Sequence, residues 1–583
     1  MAPRRAAAAS AAKKDTKSAT ETRSTRPKRA VTAPKPAAVT KPAAPAAKKQ
    51  KAAATKATAT KAAAATKKAA PKKAAPKKPA TTSTKKETAA PASKKRKAVE
   101  VDEDEARETK KSRVTPAPKP KVTKSKVVKP KVEKPKVVKP KVIINERPTT
   151  RLNIFVCGEG SSGELGLGTA KKAVDVKRPR LNPLLSAEDV GVVHIAVGGM
   201  HCVALTHDNK ILTWGVNDQG ALGRDTAWEG GMKDIDDNKS DASSDSGSDS
   251  GLNPHESTPT AIPSDEFPEG TTFVAAAASD SASFVLTDEG LVYGWGTFRG
   301  NEGILGFDAD SEVQNTPVLI PGLKKIKQIA CGDNHVLALD DKGAVFSWGS
   351  GQQNQLGRRI VERTRLHGLE PRQFGLPKGV LQIACGSFHS FALHKNGRVY
   401  GWGLNSFGET GVDEGAGDDE AAILHPTIVQ SLTEKNITQI SGGGHHSMAV
   451  TESGECLVWG RCDGSQSGFK LDTLPESAVV KDDRGRPRII SEPSAIPGLE
   501  ASYVSAGPDH SLALDKDGRI WSWGFSANYQ TGQGTDDDIE VATVVENTAV
   551  RGKKLNWVGA GGQFSVFTEE VQAPATNGIN GHA

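Results

Sequence analysis

Ile383-Ala-Cys-Gly-Ser-Phe-His389-Ser-Phe-Ala-Leu393, followed closely by Gly397-Arg-Val-Tyr-Gly-Trp402-Gly403, is the stretch that decides the fold. Two short β-prone runs are separated by glycine-bearing turns, the pattern of a small antiparallel sheet. The unit recurs. Trp-Gly stands at Trp214, Trp295, Trp348, Trp402, Trp459 and Trp523, and thirteen residues before these stand His201, Ala282, His335, His389, His446 and His510. A period of roughly 50 to 60 residues marks a repeat architecture with one sheet per unit.

Six full copies leave a half-unit at each end. Val558-Gly-Ala-Gly-Gly-Gln-Phe564-Ser-Val-Phe567 is a first half without its Trp-Gly. Ile154-Phe-Val-Cys157-Gly158-Glu-Gly-Ser-Ser-Gly163-Glu-Leu165-Gly166 is a second half with Cys157 in the tryptophan position. Joining them predicts an all-β, seven-bladed β-propeller closed by pairing of the N- and C-terminal segments, which leaves no open sheet edge. The propeller is expected over 151–570. The gap from Trp214 to Trp295 is longer than its neighbours, and the acidic, serine-rich text around 229–256 predicts a mobile surface insertion there. Residues 571–583 are expected to be a flexible C-terminus.

The first quarter of the chain has different physics. Over residues 1–150 Lys and Arg number 43 against 11 Asp and Glu, a net charge of +32, whereas the remainder carries −22. Ala, Lys, Pro and Thr dominate, so this region is expected to be a disordered basic tail. Lys-Pro-Lys-Val occurs four times between Lys119 and Val142, and its prolines and lysines favour an extended cationic ribbon. Such a ribbon gains affinity for DNA by counterion release without reading bases. Lys94, Lys95, Arg96 and Lys97 form a nuclear-import signal of the kind an import receptor binds, which places the protein in the nucleus.

The glycine, Trp-Gly and histidine repeat resembles the regulator of chromosome condensation family. That resemblance implies a chromatin-bound propeller that promotes GDP release and GTP loading on a Ran-type small GTPase, in support of nucleocytoplasmic transport and mitosis. Three non-repeated stretches carry it. Gly215 to Thr226, with Asp225, is similar to the family's first blade. Phe298-Arg299-Gly300-Asn301-Glu302-Gly303-Ile304-Leu305 resembles its β-wedge, the hairpin that presses on the GTPase. Leu356 to Gly368 resembles the loop that reaches the nucleosome, implying contacts from Arg359, Arg363 and Arg365 to the histone acidic patch.

Within the repeat, a histidine found in five blades is first a structural element. The resemblance singles out the His445-His446 pair for exchange. Residues that break the repeat are better candidates: Asp280, Asp333, Asn334, Arg299 and Arg358. Where the family has an acid immediately before the third-blade histidine, this chain has Asn334, with Asp333 one place earlier.

Covalent chemistry has no support. No phosphate-binding loop, nucleophile elbow or His-Glu-x-x-His is present, and Cys157, Cys202, Cys331, Cys385, Cys456 and Cys462 show no zinc spacing. No cofactor or metal is expected. No run is long and apolar enough for a bilayer, so no membrane is expected as a partner. The rival reading is a chromatin-binding adaptor without exchange activity, which the wedge sequence disfavours.

Overall fold

The computed structural model describes residues 141–230 and 250–571. The import signal at Lys94–Lys97 and most of the basic tail lie outside the described residues. Strands dominate, and the regular units are four-stranded antiparallel sheets. In the repeat around Trp402, strands Val380–Cys385, His389–His394, Val399–Leu404 and Ala422–Ile428 pair in chain order. The units around Trp459 and Trp523 share one long strand, Pro487–Ala506, which gives a single eight-stranded sheet.

The two ends of the repeat region form a composite sheet. Strand Arg151–Glu159 pairs antiparallel with Phe564–Val571, with Ile154 opposite Thr568 and Cys157 opposite Ser565. Gly532 stands 2.9 Å from the Cys157 sulfur when given a Cβ, just as Gly166, Gly223, Gly411 and Gly468 close on a tryptophan indole of the next repeat. These glycines have φ between about 60° and 71°, the left-handed region in which a side chain is disfavoured. In these units the tight loop therefore packs on the tryptophan of its neighbour, or on Cys157 where the last loop meets the composite end sheet.

The repeated histidines join one sheet to the next. Nε2 of His201, His335, His389 and His446 lies 2.8 Å from Oγ of Ser283, Ser390, Ser447 and Ser511, and His510 meets Ser565 at 3.1 Å. The serine immediately follows the histidine position of the following unit. Where a unit lacks the histidine, the next lacks the serine: Ala282 is followed by Val336, and Phe564 by Cys202. Ser283, Ser390, Ser447 and Ser565 each donate their one hydroxyl proton to a loop carbonyl. The facing histidines must therefore donate from Nε2, leaving Nδ1 unprotonated. Burial pushes His201 and His446 down to about 4, and His335 and His510 to about 3.

Two sequence boundaries shift. The tail was expected to be disordered to residue 150, but Ile144 and Asn145 donate their backbone N–H groups to Asp288 O. Asn145 Nδ2 also reaches Thr287 O and Ile326 O, and Arg147 bonds Thr206 O and His207 O. These backbone acceptors explain why so polar a segment is ordered. The insertion expected over 229–256 is likewise anchored at its end, because Asn253 caps the short helix Pro254–Ser257 and holds Thr226 O. Residues 231–249 and 572–583 lie outside the described residues.

Candidate functional site

Antiparallel pairing places the turn before each histidine and the loop after each Trp-Gly at the same strand ends. His335 is opposite Gly349, and Ala282 opposite Gly296. One face therefore collects Asp280, Asp333, His445 and all the post-tryptophan loops. The loop after Trp295 is the exception among them. Strands Phe298–Gly300 and Gly303–Gly306 form a two-stranded hairpin, with Arg299 opposite Ile304 and Asn301-Glu302 at an exposed tip.

The next unit holds this hairpin in place. Asn334 Oδ1 accepts from Arg299 N at 2.7 Å, and Gln352 Oε1 accepts from Asn301 N at 2.7 Å. Gln353 donates to Asn301 Oδ1. A Cβ on Gly300 would stand 2.7 Å from Gln352 Oε1, so the glycine permits the close approach. Asn334 is thereby a support of the hairpin's base. Ile304, half exposed at 50 %, adds an apolar side chain that sequence reading did not single out.

Beside the hairpin, Asp280 N donates to Asp333 O at 3.0 Å. Burial, with Asp280 nearby and opposed by Ser387, pushes the Asp333 carboxyl up to about 6. Two acids on adjacent turns create a negative patch. His445 lies on the same face, with its side chain 28 % exposed and Nδ1 3.3 Å from Glu409 Oε1. Phe407 packs against it at 4.9 Å and in turn carries Arg488 over its ring at 4.7 Å.

Three predicted site residues have other surroundings. Phe298 is fully buried, stacked between Phe284 and Phe307, so it anchors the hairpin and cannot touch a partner. His446 is buried in the bond to Ser511, leaving His445 as the accessible member of the pair. Arg358 is directed to the carbonyls of Ser347, His367, Gly368 and Glu370, and burial lowers it to about 10. Arg224 does the same for Thr213 and His255. Leu-Gly-Arg is thus a repeated loop device, where sequence reading took Arg358 as a break in the repeat.

Asp225 is exposed and accepts from Ala227 N. Arg359, Arg363 and Arg365 are exposed on the loop that leaves Gly349, with Arg365 2.7 Å from Glu362. Among the described residues no cluster of three His, Cys, Asp or Glu side chains is placed to hold a metal, and no helix is long and apolar enough to cross a membrane. The six cysteines are unpaired.

Repeat sheets with the post-tryptophan loops gathered on one face define a β-propeller scaffold. The chain belongs to the RCC1-like domain family, whose model matches residues 153–567. It is 42 % identical over 445 residues to Protein pim1 of Schizosaccharomyces pombe, covering 75 % of this chain and 78 % of that protein. It is 44 % identical over 425 residues to the guanine nucleotide exchange factor SRM1 of Saccharomyces cerevisiae, covering 71 % and 86 %. The crystal structure of Prp20p from S. cerevisiae, described with its binding to Gsp1p and histones, matches with a TM-score of 0.66 at 41 % identity, over 74 % of this chain and 96 % of that one.

Proposed function

We propose that this protein is a guanine-nucleotide exchange factor for a Ran-type small GTPase, working in the nucleus on chromatin. The observation that carries the proposal is the hairpin Phe298–Gly306, which replaces a tight loop and is braced from the next unit, on the face that also carries Asp280, Asp333 and His445. Relatives named as an exchange factor or studied for binding to Gsp1p and histones support it. The ring is a seven-bladed closure in this reading, supported by the composite end sheet and by Gly562 N donating to Gly199 O at 2.8 Å.

An exchange factor forms and breaks no covalent bond. It binds the nucleotide-free GTPase more tightly than the loaded one, so by linkage the nucleotide and the exchange factor weaken each other equally. The exposed tip Arg299, Asn301 and Glu302, with Ile304, enters beside the nucleotide, while Asp225, Asp280 and Asp333 attract basic groups of the GTPase. Arg359, Arg363 and Arg365 dock on the histone acidic patch through forked contacts with carboxylates. The basic tail adds DNA affinity, and Lys94–Lys97 engages the import receptor.

The deciding experiment is release of a fluorescent GDP analogue from purified Ran in the presence of the full chain. Catalytic acceleration is expected at substoichiometric amounts. Stable binding to nucleosomes with no acceleration would leave a chromatin adaptor instead.

A further inference from the structure

The seventh residue after each tryptophan performs the same local task in most units. The side chains of Glu164, Gln355, Glu409, Gln466 and Gln530 each accept the backbone N–H two residues earlier, at 2.7 to 3.0 Å. An amide meets that task as well as a carboxylate does. The difference lies in the second head-group atom, which for Glu409 and Gln466 meets the turn of the next unit.

In the Gln466 unit the free amide nitrogen donates to Asp509 Oδ1 at 3.1 Å. Asp509 immediately precedes the ladder histidine His510, as His445 precedes His446. At the corresponding place in the preceding unit, Glu409 Oε1 faces His445 Nδ1. At Glu164 the spare oxygen is buried without a partner, while burial pushes the carboxyl up to about 7. An acid at this position is thus unfavourable unless the next turn supplies a donor.

We propose that Glu409 is a positioning residue that fixes the tautomer of His445; the functional half of this inference rests on the exchange reading above. A carboxylate only accepts, so His445 carries its proton on Nδ1 and, when neutral, presents Nε2 as a hydrogen-bond acceptor. Nε2 has no partner among the described residues, and the rings of Phe407 and Phe388 flank the imidazole. The face toward the GTPase thereby offers an acceptor for an N–H or O–H donor of the partner. Four buried ladder histidines, His201, His335, His389 and His510, carry the opposite tautomer, so His445 differs from them in the same molecule.

Glu409→Gln tests this with little risk to the fold, because three other units already use glutamine there. With its oxygen held by Phe407 N, the amide would donate to His445 Nδ1 and drive the proton to Nε2. Long-range 15N–1H spectra of the full chain with ring-labelled histidine, at pH 8, read the tautomer directly, and His445→Gln assigns the signal. The expected result is Nδ1–H in the parent and Nε2–H in E409Q. Melting temperature should be unchanged, and GDP release from Ran should slow about tenfold, the effect of losing one aligned hydrogen bond to the partner. A parental Nε2–H signal, or an unchanged tautomer in E409Q, overturns the assignment. A switched tautomer with parental exchange overturns its functional half. A parent inactive in exchange removes the function proposed above, while the spectra still decide the tautomer.

Discussion

Lys141 Nζ lies 3.0 Å from Asp288 Oδ2, a carboxylate that is almost fully buried. Together with Ile144, Asn145 and Arg147, Lys141 makes the end of the basic tail part of the folded unit, tying turns of three successive sheets. Truncation to residue 140 should leave the melting temperature unchanged. Truncation to residue 147 should lower it by a few degrees, because Asp288 loses its cation and its carbonyl loses two donors, together about 1 to 3 kcal/mol. Equal melting of the two truncations would show that the strap adds nothing to stability.

The histidine ladder makes the fold acid-sensitive. Its imidazoles are depressed in the folded state to about 3 to 4, against roughly 6.5 in an unfolded chain. A depressed histidine stabilises the fold fully above the unfolded value, and that stability declines as pH falls from about 6.5 toward 4, by about 1.4 kcal/mol per unit per histidine. Glu164 and Asp333, pushed up by burial, act in the other direction, so the ladder term needs its own control. Replacing His201 and Ser283 with alanine and valine, the pair found at Ala282 and Val336, should flatten the pH dependence of denaturant stability between pH 7 and 5. An unchanged slope would remove the ladder as its source.

Much of this is legible in the sequence, for identifiable reasons. The repeat is visible because turn glycines and the buried tryptophans recur at fixed spacing. The serine partners are not, since each lies 55 to 82 residues from its histidine across loops of unequal length. The wedge is visible as a loop that breaks the pattern, yet Phe298 reads as part of a surface hairpin although strand alternation turns it inward. Arg358 misleads because a charge in a loop suggests a partner, whereas its guanidinium replaces missing donors for four loop carbonyls. Glu409 is discernible only by aligning units and noticing an acid where others carry an amide.

Arg359, Arg363 and Arg365 are exposed, and their guanidiniums, unlike that of Arg358, are not committed to the loop's carbonyls. Changing all three to alanine should weaken nucleosome binding by about tenfold or more, since charge-assisted forks contribute roughly 1.5 to 3 kcal/mol each when desolvated. Binding of free DNA by the tail should persist with its salt dependence intact. Nucleosome titrations of the full chain at two salt concentrations read both. Equal nucleosome affinity for the variant and the parent would remove this loop from the interface.

The hairpin Phe298–Gly306 gives the sharpest test of the proposed function, because its tip is exposed and its base is buried. Arg299, Asn301, Glu302 and Ile304 are exposed, whereas Phe298 lies within the hydrophobic core beside Phe284, Phe307 and Trp348. Phe298→Ala should cost about 3 to 5 kcal/mol as a buried aromatic lost to a cavity, lowering stability and exchange together. Replacing Arg299, Asn301, Glu302 and Ile304 with glycine and serine should leave melting and nucleosome binding close to parental. Catalysed GDP release should nonetheless fall by at least about a hundredfold, because contacts made only as the nucleotide leaves lower that barrier and not the energy of the loaded complex. The loss should therefore appear in the maximal rate more than in the GTPase concentration required for half of it. A folded tip variant that releases GDP at the parental rate would place the exchange activity elsewhere on the face, with His445 and the Asp280–Asp333 pair as the remaining candidates.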